Sequence, residues 1–271
     1  MLFNLKKEFL YYNFDMYPKI FGFLDSYYVM IVIGVIFALI MLALYFKKRQ
    51  FSRNTIIVIL MNTLFAVLIG FIFALLFQNV YDAINAAKNG TEYHFSFGLT
   101  FYGGLIGGIG AFFGFYFVYG RKHSEAYIGK LLIIAPAAIT IAHGIGRLGC
   151  FMEGCCYGIE TTAWYGIYFP SLGKTVIPTQ LFEAIFLLLS SQVFVFLAFK
   201  LDFKYTMPVY LMSYAIFRFL LEFIRGDYRG DLISGLSPSQ FWCIVIAAAA
   251  IASVFLIRKF VDKNENIEKA S

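Results

Sequence analysis

The sequence predicts an all-α integral membrane protein with seven transmembrane helices, its amino terminus outside the cell and its carboxyl terminus in the cytoplasm. Three observations support this fold class: the composition, a series of apolar runs, and the placing of basic residues between them. Of the 271 residues, 61% are hydrophobic and 14% are charged. Soluble domains average about 45–50% apolar and about 25% charged residues, so this chain belongs in lipid.

Seven apolar runs approach the length of about 20 residues that a helix needs to cross a hydrocarbon core of about 30 Å. They lie at residues 27–46, 55–77, 97–119, 127–146, 178–199, 207–225 and 238–258. The fourth run is the most irregular, because Pro136 interrupts it and because Gly144 and Gly146 are predicted to end it. Breaks of this kind survive in a membrane where protein or a wet cavity satisfies the backbone.

The loops give the orientation. The segments KKRQFSRN, RKHSEAYIGK, KLDFK and IRKFVDK follow the first, third, fifth and seventh runs, whereas the other loops are nearly neutral. Loops rich in Lys and Arg stay in the cytoplasm, which places the amino terminus and the neutral loops outside. The formal charge of +6 is therefore a property of the cytoplasmic loops, and no nucleic-acid partner is expected.

The chain is expected to form one domain over residues 1–271, since it shows neither a soluble domain nor an internal repeat. The long extracytoplasmic loop is placed at 147–177 and a cytoplasmic tail at 259–271, with a polar end that is expected to fray. No cleavable signal peptide is predicted, because the first twenty residues contain charges and lack a continuous apolar stretch.

Charged groups inside the sixth run are the first candidates for function, since such groups are costly in a membrane. Arg218, Glu222 and Arg225 are spaced so that all three lie on one helical face. Two arginines around one carboxylate leave positive charge on that face, and the planar donors of arginine suit a phosphate. The alternative is a buried ion pair that only docks this helix against its neighbours.

Two further polar pairs occur at the outer ends of the fourth and fifth runs. His143 and Arg147 are four residues apart, and Gln180 and Glu183 are three apart, just after Pro178. Arg147 adds a second arginine near the outer face. His143 alone is better explained as a histidine with satisfied hydrogen bonds at the interface than as a catalyst. The Gln180–Glu183 pair is equally explained as a polar helix start.

The third run contains many glycines, in the segment FYGGLIGGIGAFFG. Small residues at such spacing let helices approach closely, and this packing role is expected for all of them except Gly103 and Gly104. Beside that first pair, Tyr102 is predicted to project its phenol into a cavity.

Three of the four cysteines, Cys150, Cys155 and Cys156, crowd into the segment GRLGCFMEGCCYG. They are open to several interpretations: packing, a Cys150–Cys155 disulfide, or thiol chemistry favoured by the nearby Arg147. A zinc site with His143 is a further alternative, but the spacing lacks paired CxxC motifs. No metal and no cofactor are therefore predicted.

Five motifs in order, SYYVMIVIG, FYGGLIGG, GIGRLGCF, IPTQLFEAI and FRFLLEFIRGD, resemble those of the prolipoprotein diacylglyceryl transferases. The resemblance extends from about residue 20 to 258. It implies a bacterial cell-membrane enzyme with seven helices that transfers diacylglycerol from phosphatidylglycerol to the lipobox cysteine of a preprolipoprotein and releases glycerol phosphate. It also implies that the protein works without a cofactor, and we expect a monomer.

The resemblance implies roles for individual residues. Arg147 matches the signature arginine, which is expected to hold the phosphate, while Arg218 and Glu222 match a second arginine and its carboxylate partner. Together with Tyr102 they are the predicted catalytic residues. The predicted substrate-binding residues are Tyr27, Gly103, Gly104, His143, Gln180, Glu183 and Arg225.

The chain departs from the family pattern at the groups that handle the acceptor, as a divergent branch with a GCCYG loop. Tyr102 stands where the family has a histidine that is proposed to activate the thiol, and a phenol is a weaker base at neutral pH. Cys150, Glu153 and Cys155 replace two asparagines and a glutamate of the loop GRLGNFINGELWG. The proton is therefore expected to pass to Tyr102 or His143. A different acceptor, or a non-catalytic or redox-responsive lipid-binding protein, remains an alternative.

Overall fold

The computed structural model describes residues 18–226 and 236–270, with the side chains of residues 85, 88, 89, 101, 102 and 259–270 outside the described set. The elements are, in order, β1 (Lys19–Ile20), β2 (Leu24–Asp25), α1 (Ser26–Lys48), α2 (Arg53–Asn89), α3 (Phe101–Phe115), a π-helical turn (Tyr116–Gly120), a helical turn (Arg121–His123), α4 (Ile128–Glu153), β3 (Ile167–Phe169), β4 (Lys174–Val176), α5 (Thr179–Phe199), α6 (Thr206–Glu222) and α7 (Pro238–Ala270).

The fold is mostly helical, as the sequence predicts. Within the described residues, six helical stretches are long and apolar enough to cross a membrane. They are Ser26–Lys48, Arg53–Ile84, Gly103–His123, Ile128–Glu153, Thr179–Phe199 and Pro238–Arg258. Helix α6, at 17 residues, is the remaining member of the seven predicted runs.

The helices divide into two compact units. One takes in the described residues of Met1–Met41 and Gly129–Ser271, and the other is Leu42–Ile128. The first unit therefore holds α4 to α7, most of α1 and both two-stranded hairpins. The second holds α2 and α3.

Helix α4 does not end at its glycines, so the prediction of its end was wrong. It continues to Glu153, and the first residues of the predicted loop at 147–177 are helical. Gly144 serves a different purpose, because a Cβ there would lie 2.9 Å from the Leu188 side chain of α5. Without water to compete for its backbone groups, a glycine in lipid ends a helix less readily than it does in solution.

Pro136 lies inside α4 and cannot donate a hydrogen bond to the carbonyl oxygen of Leu132, four residues earlier. The hydroxyl of Thr206, the first residue of α6, lies 3.2 Å from the Leu132 oxygen and 2.8 Å from the Ile133 oxygen. The proline is thus tolerated because a neighbouring helix satisfies the carbonyls that it frees, and the same bonds fix the start of α6 against α4.

Two other helices run past their predicted ends. Helix α2 reaches Asn89 and is closed by Gly90, whose φ of 66° is typical of a C-terminal glycine. Helix α7 begins with a reciprocal cap, in which Ser237 Oγ accepts from the Gln240 N–H and Gln240 Oε1 accepts from the Ser237 N–H. It continues to Ala270, through the segment that was predicted to fray.

In the second unit, glycines bring α2 and α3 into contact. A Cβ on Gly107 would lie 2.5 Å from Phe73 Cβ, and one on Gly103 would lie 2.6 Å from the Phe73 carbonyl oxygen. A Cβ on Gly70 would lie 2.9 Å from the Gly104 carbonyl oxygen. Gly103 and Gly104 therefore pack against α2 as Gly107 does, contrary to the sequence prediction. The prediction of packing was also wrong for Gly110 and Gly114, where an added Cβ would meet no described heavy atom within 4 Å.

We expect Gly107→Ala to lower the stability of the protein by about 1–3 kcal/mol, the usual cost of overpacking, because Phe73 Cβ cannot move away without the backbone. Gly110→Ala is the matched control, since a Cβ there meets no described heavy atom within 4 Å. Thermal unfolding in detergent measures both variants. Equal midpoints for the two would contradict the packing role of Gly107.

Candidate active site

The carboxylate of Glu183, in the first turns of α5, lies buried among polar side chains from two other helices. Its Oε2 is 3.0 Å from Arg147 Nε and its Oε1 is 3.7 Å from His143 Nε2, both on α4. From α6, the Tyr214 hydroxyl donates to Glu183 Oε1 at 2.9 Å. Glu183 is 1% exposed, so its charge is balanced by these groups and not by water.

Local sequence explains this arrangement. His143 and Arg147 are four residues apart on one face of α4, and the helix continues through the glycines between them. The close approach of α4 and α5 at Gly144 then brings that face to Glu183. The spacing therefore predicted which residues share a face, and the packing decided which acid they meet.

A second cluster lies at the end of α6. Arg218 Nη2 is 2.7 Å from Glu222 Oε2 and donates to Ser239 Oγ at 3.1 Å. Ser237 Oγ donates to Glu222 Oε1 at 2.8 Å, and Arg225 Nε is 3.9 Å from Glu222 Oε2. The spacing predicted that these three charged residues share one helical face, and the structure places them together with the start of α7.

The two clusters act on each other, since Arg218 interacts electrostatically with Glu183 and His143. Three arginines and two glutamates leave one net positive charge on these side chains. Arg147 Nε and Arg218 Nη1 are also buried without a well-directed hydrogen bond to any described residue. Arg147 Nε faces Glu183 Oε2, but Arg218 Nη1 has no acceptor among the described residues. A buried donor with surplus positive charge suits an anion that brings an acceptor oxygen.

The segment after α4 is held in place by backbone and side-chain bonds. Cys155 N–H donates to the Cys150 carbonyl oxygen at 3.1 Å, while the side chains of Gln180 and Thr179 donate to the carbonyl oxygens of Cys155 and Cys156. Gln180, predicted to bind substrate, therefore anchors this loop, although its buried Oε1 has no hydrogen-bond partner among the described residues.

The three clustered cysteines form no disulfide among the described residues, and their Sγ atoms lie within 4.8 Å of one another. Hydrogen bonding to the Cys150 and Cys156 sulfurs, together with burial, raises the pKa of the Cys155 thiol well above its usual range. The sequence had left Cys155 open as a thiolate nucleophile. As a free thiol it is protonated at neutral pH, which argues against that role.

The loop after α4 contacts the end of α6 through two glycines. Ile159 N–H donates to the Ile224 carbonyl oxygen at 3.0 Å and Gly226 N–H to the Tyr157 carbonyl oxygen at 3.1 Å. A Cβ on Gly158 would lie 2.7 Å from the Ile224 oxygen, and one on Gly226 would clash with the Gly158 carbonyl. The end of α6, which carries Glu222, is thereby tied to the cysteine-bearing loop.

Other predicted site residues have different outcomes. Tyr27, at the start of α1, interacts electrostatically with Arg147 and with the three thiols, and its Cα would contact a Cβ on Gly149 at 3.2 Å. The Tyr102 side chain lies outside the described residues, so its role stays a prediction. Gly103 and Gly104 face α2 as described above, and a contact with substrate also stays a prediction.

Sequence reasoning missed Tyr214, Ser237 and Ser239. Tyr214 precedes Arg218 by four residues on the same face of α6, so the spacing that identified the arginine also points to the tyrosine. The two serines lie in the segment SPSQ, a helix-start pattern with a capping residue, a proline and a glutamine. Their cap position was readable from the sequence, but their contact with the α6 charges was not.

Fold and site together define a helical integral membrane protein with a buried arginine–carboxylate cluster suited to an anion. A family model described as prolipoprotein diacylglyceryl transferase matches residues 19–256. The chain belongs to this family, as the motifs of the sequence predicted.

Several curated proteins are similar over most of the chain. The phosphatidylglycerol–prolipoprotein diacylglyceryl transferase 2 of Clostridium perfringens is 34% identical over 181 residues, which cover 65% of this chain and 68% of that protein. The corresponding transferase of Clostridium tetani is 30% identical over 234 residues, 82% of this chain and 87% of that protein. That of Staphylococcus carnosus is 28% identical over 225 residues, 79% and 78% of the two chains.

Proposed function

We propose that this protein is a phosphatidylglycerol-dependent diacylglyceryl transferase. It takes the diacylglyceryl group of phosphatidylglycerol and transfers it to the lipobox cysteine of a preprolipoprotein, with release of glycerol phosphate. Its relatives are named for this activity. The observation that supports the proposal is the buried arginine cluster, which has one net positive charge and one donor, Arg218 Nη1, without an acceptor among the described residues.

In this mechanism, Arg147 and Arg218 bind the phosphate of the lipid. The acceptor sulfur attacks the glyceryl carbon that bears the phosphate ester, the C–O bond breaks, and glycerol phosphate leaves with the bonding electrons. Donors that are fixed in place before the reaction stabilise this developing charge more than mobile water does. Glu183 and Glu222 hold the two guanidinium groups in position, and Arg225 and His143 complete the headgroup site.

We further propose seven crossings, with the amino terminus outside and the carboxyl terminus in the cytoplasm of a bacterial plasma membrane. Helix α6, at about 1.5 Å per residue, is about 25 Å long and close to the thickness of the hydrocarbon core. The distribution of Lys and Arg supports this orientation. We propose that the chain acts as one domain and as a monomer, since the named groups of both arginine clusters lie in the first compact unit.

The test is release of glycerol phosphate by purified protein from phosphatidylglycerol in the presence of a lipobox peptide. Arg147→Lys keeps the charge but loses the planar donors, and we expect it to lower the rate by roughly 10²-fold, the cost of one transition-state donor. Arg121→Lys, an exposed position of the second unit, is the matched control with unchanged rate. Wild-type rate in Arg147→Lys, or no release by the wild type, would overturn the proposed function.

A further inference from the structure

The three clustered thiols have no role in the transfer mechanism proposed above. Cys150 lies buried in the last turn of α4, and Cys155 and Cys156 follow it after a tight turn at Gly154. Their three Sγ atoms lie within 4.8 Å of one another. Cys155 and Cys156 are half-buried, so the cluster can be reached from one side.

The backbone is arranged to make these sulfurs converge. Gly154 has a φ of 76° and Cys156 a φ of 63°, and a residue other than glycine in this region costs about 1–2 kcal/mol. The hydrogen bonds from Thr179 and Gln180 of α5 hold the carbonyl oxygens of Cys156 and Cys155 in this conformation. Strain maintained by surrounding contacts is typical of functional positions.

A disulfide uses only two of the three sulfurs. Adjacent cysteines bridge poorly because disulfide geometry is restrictive, so Cys155 and Cys156 do not make a good pair. A bridge from Cys150 to either of them would leave the third thiol unused inside the cluster. A single ion bound by all three sulfurs accounts for the convergence of the whole set.

The dimensions and charge suit zinc. With Zn–S bonds of about 2.3 Å, sulfurs around a tetrahedral zinc lie about 3.8 Å apart, so three sulfurs within 4.8 Å need only small side-chain rotations. Three thiolates around Zn²⁺ carry one net negative charge. Arg147 interacts electrostatically with Cys150 and Cys156, which lowers the cost of placing this negative charge in a low dielectric.

Three protein ligands leave the fourth position of a tetrahedral zinc open, as in catalytic zinc sites. We propose that Cys150, Cys155 and Cys156 bind one Zn²⁺ and that the acceptor thiol of the transfer reaction occupies the fourth position. This inference rests on the proposed function for the identity of the acceptor. Cys150 lies on the same helix as Arg147, about one turn further on, so an acceptor bound by this site would lie near the arginine that is proposed to bind the phosphate.

The step is balanced without any redox change. The acceptor thiol loses its proton to water when it binds zinc, and the bound sulfur then attacks the glyceryl carbon. A C–S bond forms, the C–O bond to phosphate breaks, and glycerol phosphate leaves with the bonding electrons. The thioether product is a weaker ligand than the thiolate, which frees the fourth position for the next acceptor.

Metal analysis of the purified full-length protein tests the first part. We expect one zinc per chain in the wild type and at least a tenfold lower content in Cys155→Ser. Cys243→Ser is the matched control and should retain one zinc, because Cys243 lies on α7, outside the cluster. Unfolding midpoints in detergent verify that the variants are folded. A wild type without zinc, with three alkylatable thiols or a disulfide among them, overturns the proposal, as does full zinc content in folded Cys155→Ser.

Cobalt substitution tests the acceptor. The Co²⁺ protein should show thiolate-to-cobalt absorption in the near ultraviolet that increases on addition of a lipobox peptide, but not of the same peptide with serine for cysteine. An identical spectrum with both peptides overturns the acceptor assignment. These spectra can be recorded without any transfer reaction. A cysteine-dependent spectrum without glycerol phosphate release would support the metal site while overturning phosphatidylglycerol as the donor.

Discussion

Glu183→Gln is expected to abolish measurable transfer and to lower the free energy of unfolding by about 3–5 kcal/mol, the usual cost of breaking a buried ion pair. The substitution keeps the shape of the side chain and an oxygen that can accept from Tyr214. It removes only the charge that balances Arg147, 3.0 Å away. The guanidinium would then be buried without compensation and free to turn away from the phosphate.

Transfer assays and unfolding in detergent check this expectation. Glu160→Gln makes the same charge change in an exposed pair with Lys174, where surface pairs contribute about 0–1 kcal/mol, and should alter neither quantity appreciably. Tyr214→Phe should cost only about 1 kcal/mol, since it removes a single hydrogen bond. A Glu183→Gln protein with wild-type rate would exclude Glu183 as the group that positions Arg147.

Arg218 is expected to have a structural role and a functional role, and two variants distinguish them. Arg218→Leu alone should lower stability by about 3–5 kcal/mol, since it leaves the carboxylate of Glu222 buried without its partner. The double variant Arg218→Leu/Glu222→Leu removes both charges, and apolar replacement of a buried pair is often neutral. We therefore expect most of the lost stability to return in the double variant.

Activity should not return with stability. If Arg218 binds the phosphate, the double variant should remain at least about 10³-fold slower than the wild type, because a charged transition-state donor is absent. Stability from thermal unfolding and rates from glycerol phosphate release are compared for all three variants. Recovery of both quantities together would mean that Arg218 and Glu222 only dock α6 against α7.

The local part of the site was predictable from sequence, and the long-range part was not. Spacing alone identified the shared faces of His143 with Arg147 and of Arg218 with Glu222, because helical periodicity is a local property. The partner of Arg147, however, is Glu183, 36 positions further along the chain. That pairing depends on how closely α4 and α5 approach, which no local pattern encodes.

The helix ends show the same division. For the six candidate spans, most of the ends predicted from the apolar runs lie within a few residues of the ends in the structure, since lipid thickness sets the length of a span. The glycines at 144 and 146 misled the prediction, because their effect depends on whether a neighbouring helix packs against them. Pro136 was recognised as a break, but its compensation by Thr206 was visible only in the structure.

Because α4 continues without a break through its glycines, the side chains before and after them keep a fixed angle to one another around the helix axis. His143, Arg147 and Cys150 follow one another at steps of four and three residues on one face of a single rigid rod. The anion-binding group and the first thiol therefore cannot drift apart as they would on a loop. One inserted residue between them would turn the thiol by about 100° relative to the arginine. A length change in this stretch would therefore rotate the first thiol away from the arginine, whereas a substitution would leave the angle between them unchanged.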